Sequence, residues 1–128
     1  MTGQPARVLV VDDDDSIRMM IHATLARSGY EVREARNGRE ALAEMGNAGI
    51  DLVVLDLMMP VMSGWDLLAV RATRPELRRI PVIVATANAV LTFDETVRRQ
   101  ICAFLPKPFE LDELHGMVSS CLRQGAGF

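Results

Sequence analysis

Four places in the chain carry side chains suited to chemistry: the run Asp12-Asp13-Asp14-Asp15, the single Asp56, the hydroxyl of Thr86 and the ammonium of Lys107. Each follows an apolar run. Val8-Leu9-Val10-Val11 leads into the four aspartates, Val53-Val54-Leu55 into Asp56, Val82-Ile83-Val84-Ala85 into Thr86, and Ala103-Phe104-Leu105-Pro106 into Lys107. Short apolar, β-branched runs suit strands covered on both faces of a parallel sheet. In open α/β sheets, ligands gather at the carboxyl ends of such strands. Taken alone, Asp56 reads equally well as a loop aspartate capping a neighbour. The same arrangement at four strand ends favours a shared pocket.

Carboxylates brought into one pocket repel each other. Two unit charges ~4 Å apart interact by about 4 kcal/mol at an effective dielectric of ~20, so Asp12, Asp13 and Asp56 together call for a cation. A small, open, carboxylate-rich site that keeps waters suits Mg²⁺ best. Asp14 and Asp15 read instead as a solvated first helical turn, favoured by the helix dipole. A carboxylate beside such a cation, faced by one lysine and one hydroxyl, is equipped for covalent phosphoryl transfer. Asp56 is then the nucleophile toward phosphorus. Mg²⁺ neutralises the equatorial oxygens, while Lys107 and Thr86 hold two of them. Pro106 and Pro108 flank Lys107 and hold it in place.

These residues need a frame of alternating elements. Ile17, Met20, Ile21, Ala23, Leu25 and Ala26 have a mostly helical spacing that ends at Ser28-Gly29, where glycine suits the left-handed C′ position. Tyr30 to Ala35 alternates as a short strand nearer the sheet edge. Asn37 reads as an N-cap with Glu40 reaching back in a capping box, and Ala41, Leu42 and Met45 give that helix its buried face before Gly46 and Gly49 break it. Pro60 stops the strand that bears Asp56, and Ser63-Gly64 opens a helix running from about Trp65 to the break at Pro75. Further expectations are a strand from Pro81 to Thr86, with proline at its tolerated first residue, and a helix from about Asn88 to Gln100. A last strand over 103–109 and a closing helix from Leu111 to Leu122 follow, before a frayed tail of Gly125 to Phe128. Five strands alternating with five helices predict an α/β, doubly wound parallel sheet with right-handed crossovers.

With 128 residues, 49% of them hydrophobic and 24% charged, the chain makes one domain burying roughly two-thirds of its unfolded surface. Residues 6–122 form that domain, between an N-terminal extension of 1–5 and a short C-terminal tail of 123–128. A net charge of −3 disfavours nucleic acid as a direct partner. No apolar run is long enough to span a bilayer and the N-terminus is no signal peptide, so the expected location is cytoplasmic, away from membranes. Cys102 and Cys121 lack metal-ligand spacing, and a reduced pair is the expectation there.

Four segments together resemble the receiver domains of two-component response regulators. Val10-Val11-Asp12-Asp13-Asp14 resembles the acidic turn, Leu55-Asp56-Leu57-Met58-Met59-Pro60 the phosphoacceptor segment, Ala85-Thr86-Ala87 the switch segment and Leu105-Pro106-Lys107-Pro108-Phe109 the lysine segment. The resemblance covers about residues 6 to 122 in one register. It implies a flavodoxin-like, five-stranded parallel sheet of order 2-1-3-4-5 with five helices. It also implies Mg²⁺ bound directly by Asp13, Asp56 and the Met58 carbonyl, with Asp12 acting largely through water, and a cis Lys107–Pro108 bond. Thr86, Ala87 and Lys107 become the phosphate-binding residues.

The same resemblance implies a switch rather than a turnover enzyme. A sensor histidine kinase or histidine phosphotransfer protein donates the phosphoryl group to Asp56. Thr86 moves toward it, and Phe104, which lacks a phenolic hydroxyl, turns inward. Met58 and Asn88 tune the lifetime of the phosphoryl group. A downstream protein binds the face of the fourth helix, fifth strand and fifth helix, with no output domain expected in this chain. A phosphorylation-independent, receiver-like interaction module is the alternative, disfavoured because all five key residues are present. A phosphatase of the haloacid dehalogenase type needs a second aspartate where Met58 stands, and in a flavin-binding flavodoxin the four aspartates would repel the cofactor phosphate.

Two departures from the family bear on the output face. The interval from Thr86 to Lys107 is one residue shorter than usual, and Cys102 replaces a customary glycine. A non-glycine residue in the left-handed region costs about 1–2 kcal/mol, which predicts a shortened or differently ended fourth helix. Arg71, Arg74, Arg78 and Arg79 read as a solvated helix end in preference to a docking patch.

Overall fold

The computed structural model describes residues 4–47, 49–87 and 95–126. Five strands, β1 (Arg7–Val11), β2 (Glu31–Ala35), β3 (Leu52–Leu55), β4 (Val82–Thr86) and β5 (Ala103–Pro106), form one parallel sheet of order β2-β1-β3-β4-β5. The connecting helices are α1 (Asp15–Arg27), α2 (Gly38–Asn47), α3 (Gly64–Thr73), α4 (Pro75–Arg78), α5 (Glu95–Gln100) and α6 (Leu111–Ala126). The doubly wound, flavodoxin-like architecture and its strand order are those expected from the sequence.

The sheet is buried on both faces because its central strands are apolar at all but the end positions Arg7 and Thr86, and successive side chains point to opposite sides. Leu9, Val11, Val53, Leu55, Val82 and Val84 enter one core, closed by Ala41 and Met45 of α2, Leu67 and Leu68 of α3, and Leu77 of α4. Val8, Val10, Leu52, Val54, Ile83 and Ala85 enter the other, closed by Ile21 and Leu25 of α1 and by Leu114 and Val118 of α6.

Several local expectations need correction. The described residues hold six helices, not five, because Pro75 does not merely end α3. It opens the four-residue α4, where its missing N–H costs nothing, and Leu77 anchors that turn in the core. Gly46 lies inside α2, and the chain turns instead at Gly49 with φ 66°. The Asn37 side chain accepts from the Glu40 N–H as expected, but Glu40 reaches back to the Arg36 N–H, one residue earlier than a capping box requires. A complete capping box occurs at α3, between Ser63 and Asp66. β5 stops at Pro106, and α6 continues through Gly125 to Ala126, where a frayed tail was expected. Of the fourth expected helix, Glu95–Gln100 is helical, and 88–94 lie outside the described residues.

Arg71 is not part of a solvated helix end. It is buried, and its guanidinium donates to the carbonyls of Ile80 (2.8 and 3.1 Å), Arg78 (3.0 Å) and Gln100 (3.0 Å). Burial lowers its pKa from the ordinary value, and the three carbonyl dipoles stand in for a counter-ion. Arg74, Arg78 and Arg79 are exposed, as expected. The cysteines also differ from expectation: Cys102 and Cys121 form a disulfide, with Cα atoms 6.2 Å apart, within the bridging range. Folding α6 back along β5 brings them together, which their separation of 19 residues does not announce. Cys102 is not in the left-handed region; among the described residues Val61, at φ 71°, is the only non-glycine there.

Candidate functional site

The parallel register sets the site. The Asp56 N–H donates to the Val11 carbonyl (3.0 Å), the Asp12 N–H to Ala35 (3.1 Å) and the Lys107 N–H to Thr86 (3.0 Å), each continuing a ladder one step beyond its strand. The ends of β1, β3, β4 and β5 therefore share one edge of the sheet. Glycine is required where α3 begins: a Cβ on Gly64 would stand 2.5 Å from the Asp56 carbonyl oxygen and 2.7 Å from the Leu57 Cα. The Gly64 N–H closes this turn on the Leu57 carbonyl at 3.0 Å.

Within that edge Asp12 and Asp56 are buried and Asp13 is exposed. The three offer carboxylate oxygens all within 4.8 Å of one another. Lys107 bridges the two buried ones, its Nζ donating to Asp12 Oδ2 at 2.7 Å and to Asp56 Oδ2 at 3.2 Å. The other oxygens are held by backbone: Asp12 Oδ1 accepts from the Asp14 N–H at 2.9 Å, and Asp56 Oδ1 from the Met58 N–H at 3.1 Å. Burial pulls the Lys107 pKa down, but the hydrogen bond and charge of Asp12, followed by Asp56, outweigh it and hold the value above the ordinary 10.5. A raised lysine pKa means that this pairing contributes fully below 10.5 and fades only as pH climbs through the folded-state value. One ammonium does not neutralise three carboxylates. The remaining negative charge, carried on hard oxygen donors, fits a divalent cation of the Mg²⁺ class.

Thr86, the last residue of β4, is fully buried, and Ala87 beyond it is exposed. Phe104 lies in β5 opposite Val84 and packs, half-buried, against the first core. Met58 is 52% exposed, and Asn88 lies outside the described residues. The Lys107–Pro108 bond is cis, as the family resemblance implied. Asp14 caps α1, accepting from the Ile17 N–H at 3.0 Å, and Asp15 is exposed, so both have the helix-turn role expected of them.

Sequence reasoning missed Arg18. It is buried and donates to the Asp12 backbone carbonyl at 2.9 Å, while its other nitrogens pair with Asp15 and Glu34. It ties the acidic loop to α1 and β2. The three-residue step from Asp15 to Arg18 is the helical pairing signal that could have found it.

The response regulator receiver domain family matches residues 8–119. Among curated relatives, the regulatory protein AtoC of Escherichia coli (strain K12) is 39% identical over 118 residues, covering 91% of this chain and 25% of AtoC. The chain spans between about a quarter and a half of the length of the curated relatives it matches. A receiver domain protein from Methanospirillum hungatei JF-1 superposes with a TM-score of 0.85 at 27% identity, covering 97% of this chain and 98% of that one. The response regulator TrrA of Thermotoga maritima, solved in complex with Mg²⁺-BeF, gives 0.81 at 32% identity, covering 91% and 98%. No described helix is long and apolar enough to cross a membrane.

Proposed function

The chain belongs to the response regulator receiver domain family, and from that premise we propose that Asp56 is its phosphoacceptor and that phosphorylation there switches its protein-binding face. The observation that carries this reading is the Asp56 carboxylate itself. It is buried, with one oxygen on the Met58 N–H and the other on Lys107, in a cluster with Asp12 and Asp13. Such a group is oriented before any substrate arrives, which lowers the cost of reaching a reactive geometry.

The donor is a phosphohistidine of a sensor histidine kinase or histidine phosphotransfer protein. An Asp56 oxygen attacks phosphorus, the new O–P bond forms as the P–N bond to histidine breaks, and the histidine nitrogen leaves with the electron pair. Asp13, Asp56 and the Met58 carbonyl would hold Mg²⁺, with Asp12 assisting through water; the ion supplies neutralisation of charge at the transferred oxygens. Lys107, already at the Asp56 carboxylate, pairs with one phosphoryl oxygen, and Thr86 and Ala87 serve the others. The shift of Thr86 leaves space for Phe104 to turn inward. The change is read by a downstream protein at the face of α5, β5 and α6. Met58 and Asn88 flank the path of an attacking water and set how long the phosphoryl group lasts.

The test is an intact mass after incubation with a small-molecule phosphodonor, with and without Mg²⁺, on wild type and Asp56→Asn. A Mg²⁺-dependent gain of one phosphoryl group in wild type alone is expected. A folded wild-type protein that gains nothing would instead favour a phosphorylation-independent interaction module.

A further inference from the structure

The Cys102–Cys121 disulfide joins the start of β5 to α6, and the loop it closes contains Phe104 and Lys107. It lies at the edge of the sheet opposite the carboxylates, since Cys102 precedes β5 and Lys107 follows it. The two cysteines line one open cavity of about 620 Å³, together with Arg71, Arg78, Arg79 and Arg99 and, among the described residues, no acidic side chain. Cys102 is half-buried and Cys121 is in the core. In a chain of net charge −3, a cavity whose charged lining residues are all arginines attracts anions to the bridge. The chain contains no other cysteine, so exchange at this bridge has no competing intramolecular partner.

We propose that the Cys102–Cys121 bridge is a reversible redox latch on β5 and α6, opened by small anionic thiols that enter the arginine-lined cavity. A thiolate attacks Sγ of Cys102, the more exposed of the two residues; a mixed disulfide forms, the S–S bond breaks, and Cys121 leaves as thiolate and takes up a proton. A second thiolate attacks the thiol-derived sulfur of the mixed disulfide, releasing Cys102, which is protonated in turn. Two small thiols become one small disulfide, and the bridge gains two electrons and two protons. The reverse exchange with that disulfide closes the latch. α6 stays docked afterwards, because Leu114 and Val118 remain fully buried in the second core. The freedom gained is confined to the start of β5 and the last turns of α6. That this freedom eases the movement of Phe104, and so the response to phosphorylation, rests on the function proposed above; the opening of the latch does not.

The experiment uses the whole chain without any phosphodonor. Wild type is equilibrated across ratios of reduced to oxidised glutathione, quenched with iodoacetamide and read by intact mass. Conversion to the doubly alkylated form within that range is expected. Reduction by glutathione, which is anionic, should be about tenfold faster than by cationic cysteamine at equal thiolate concentration and low salt. The ratio should fall toward one at high salt and in the double variant Arg78→Gln, Arg99→Gln. Amide hydrogen exchange at the start of β5 and the end of α6 should speed up on reduction, and Cys102→Ser should match the reduced wild type. A bridge that resists every glutathione ratio, equal rates for the two thiols, or unchanged exchange on reduction each overturn the latch. None of these results touches Asp56, whose own test is the phosphodonor mass gain.

Discussion

At the scale of single residues, the acidic pocket is held together against its own charge, and two neighbouring substitutions should move stability in opposite directions. Asp13 is exposed and brings an oxygen within 4.8 Å of both Asp12 and Asp56. Without a divalent cation it contributes mostly repulsion, so Asp13→Asn should stabilise the metal-free protein by about 1 kcal/mol, near the aqueous end of the Coulomb range. Mg²⁺, which should raise the unfolding midpoint of wild type, should raise that of Asp13→Asn far less, because a donor is lost. Lys107→Ala leaves Asp12 and Asp56 buried with no cation between them and should cost about 3 kcal/mol. Urea titrations with and without Mg²⁺ measure all three. If both substitutions destabilise equally, mutual repulsion is not the energy that governs this pocket. The site was legible because its parts are extreme in the sequence: four consecutive aspartates, and a lysine between two prolines. Arg18 was not, because its importance lies in a backbone carbonyl of Asp12, and carbonyls leave no mark on a sequence.

Arg71 joins elements rather than forming a site. From α3 its guanidinium reaches the carbonyls of Arg78 at the end of α4, Ile80 just before β4 and Gln100 at the end of α5. Arg71→Ala should remove all of these donors at once and cost about 3 kcal/mol or more, since each buried carbonyl left unpaired costs about 1–3 kcal/mol. Arg71→Lys should recover only part of this, because an ammonium cannot fork among three acceptors. Chemical denaturation of the three proteins gives the ranking, and a lysine variant as stable as wild type would mean that the charge matters and the fork does not. Reading this arginine as one of a solvated cluster was natural, since Arg74, Arg78 and Arg79 around it are exposed. Helical spacing places a side chain on a face, but the acceptor that awaits it comes from residues nine and 29 positions away. The same limit applies to Cys102 and Cys121, which meet only because α6 folds back along β5. Strands were easier to read, as continuous apolar runs have few other uses.

For the molecule as a whole, the decisive fact is that both hydrophobic cores are built from the same three strands. β1, β3 and β4 send alternate residues to opposite sides: Leu9, Val53 and Val84 to one core, Val10, Val54 and Ile83 to the other. Neither layer of helices can leave without exposing a sheet face on which the other layer depends, so the two should unfold together. This pattern is also why the fold class could be read from the sequence more surely than every helix boundary: strand burial is fixed along the whole run, whereas a helix end depends on a single residue, legible at Ser63 but not at Pro75. The consequence can be measured with probes on opposite sides of the sheet. Trp65, the only tryptophan, packs against the first core, while α1 and α6, the two longest described helices and a large part of the far-ultraviolet ellipticity, cover the second. Ile83→Val deletes one methylene in the second core and should cost about 1 kcal/mol. In urea it should lower the midpoints seen by Trp65 fluorescence and by ellipticity by the same amount, leaving the two curves superimposed. A shift confined to ellipticity would mean that the sheet does not transmit the loss, and that the two cores melt as separate units.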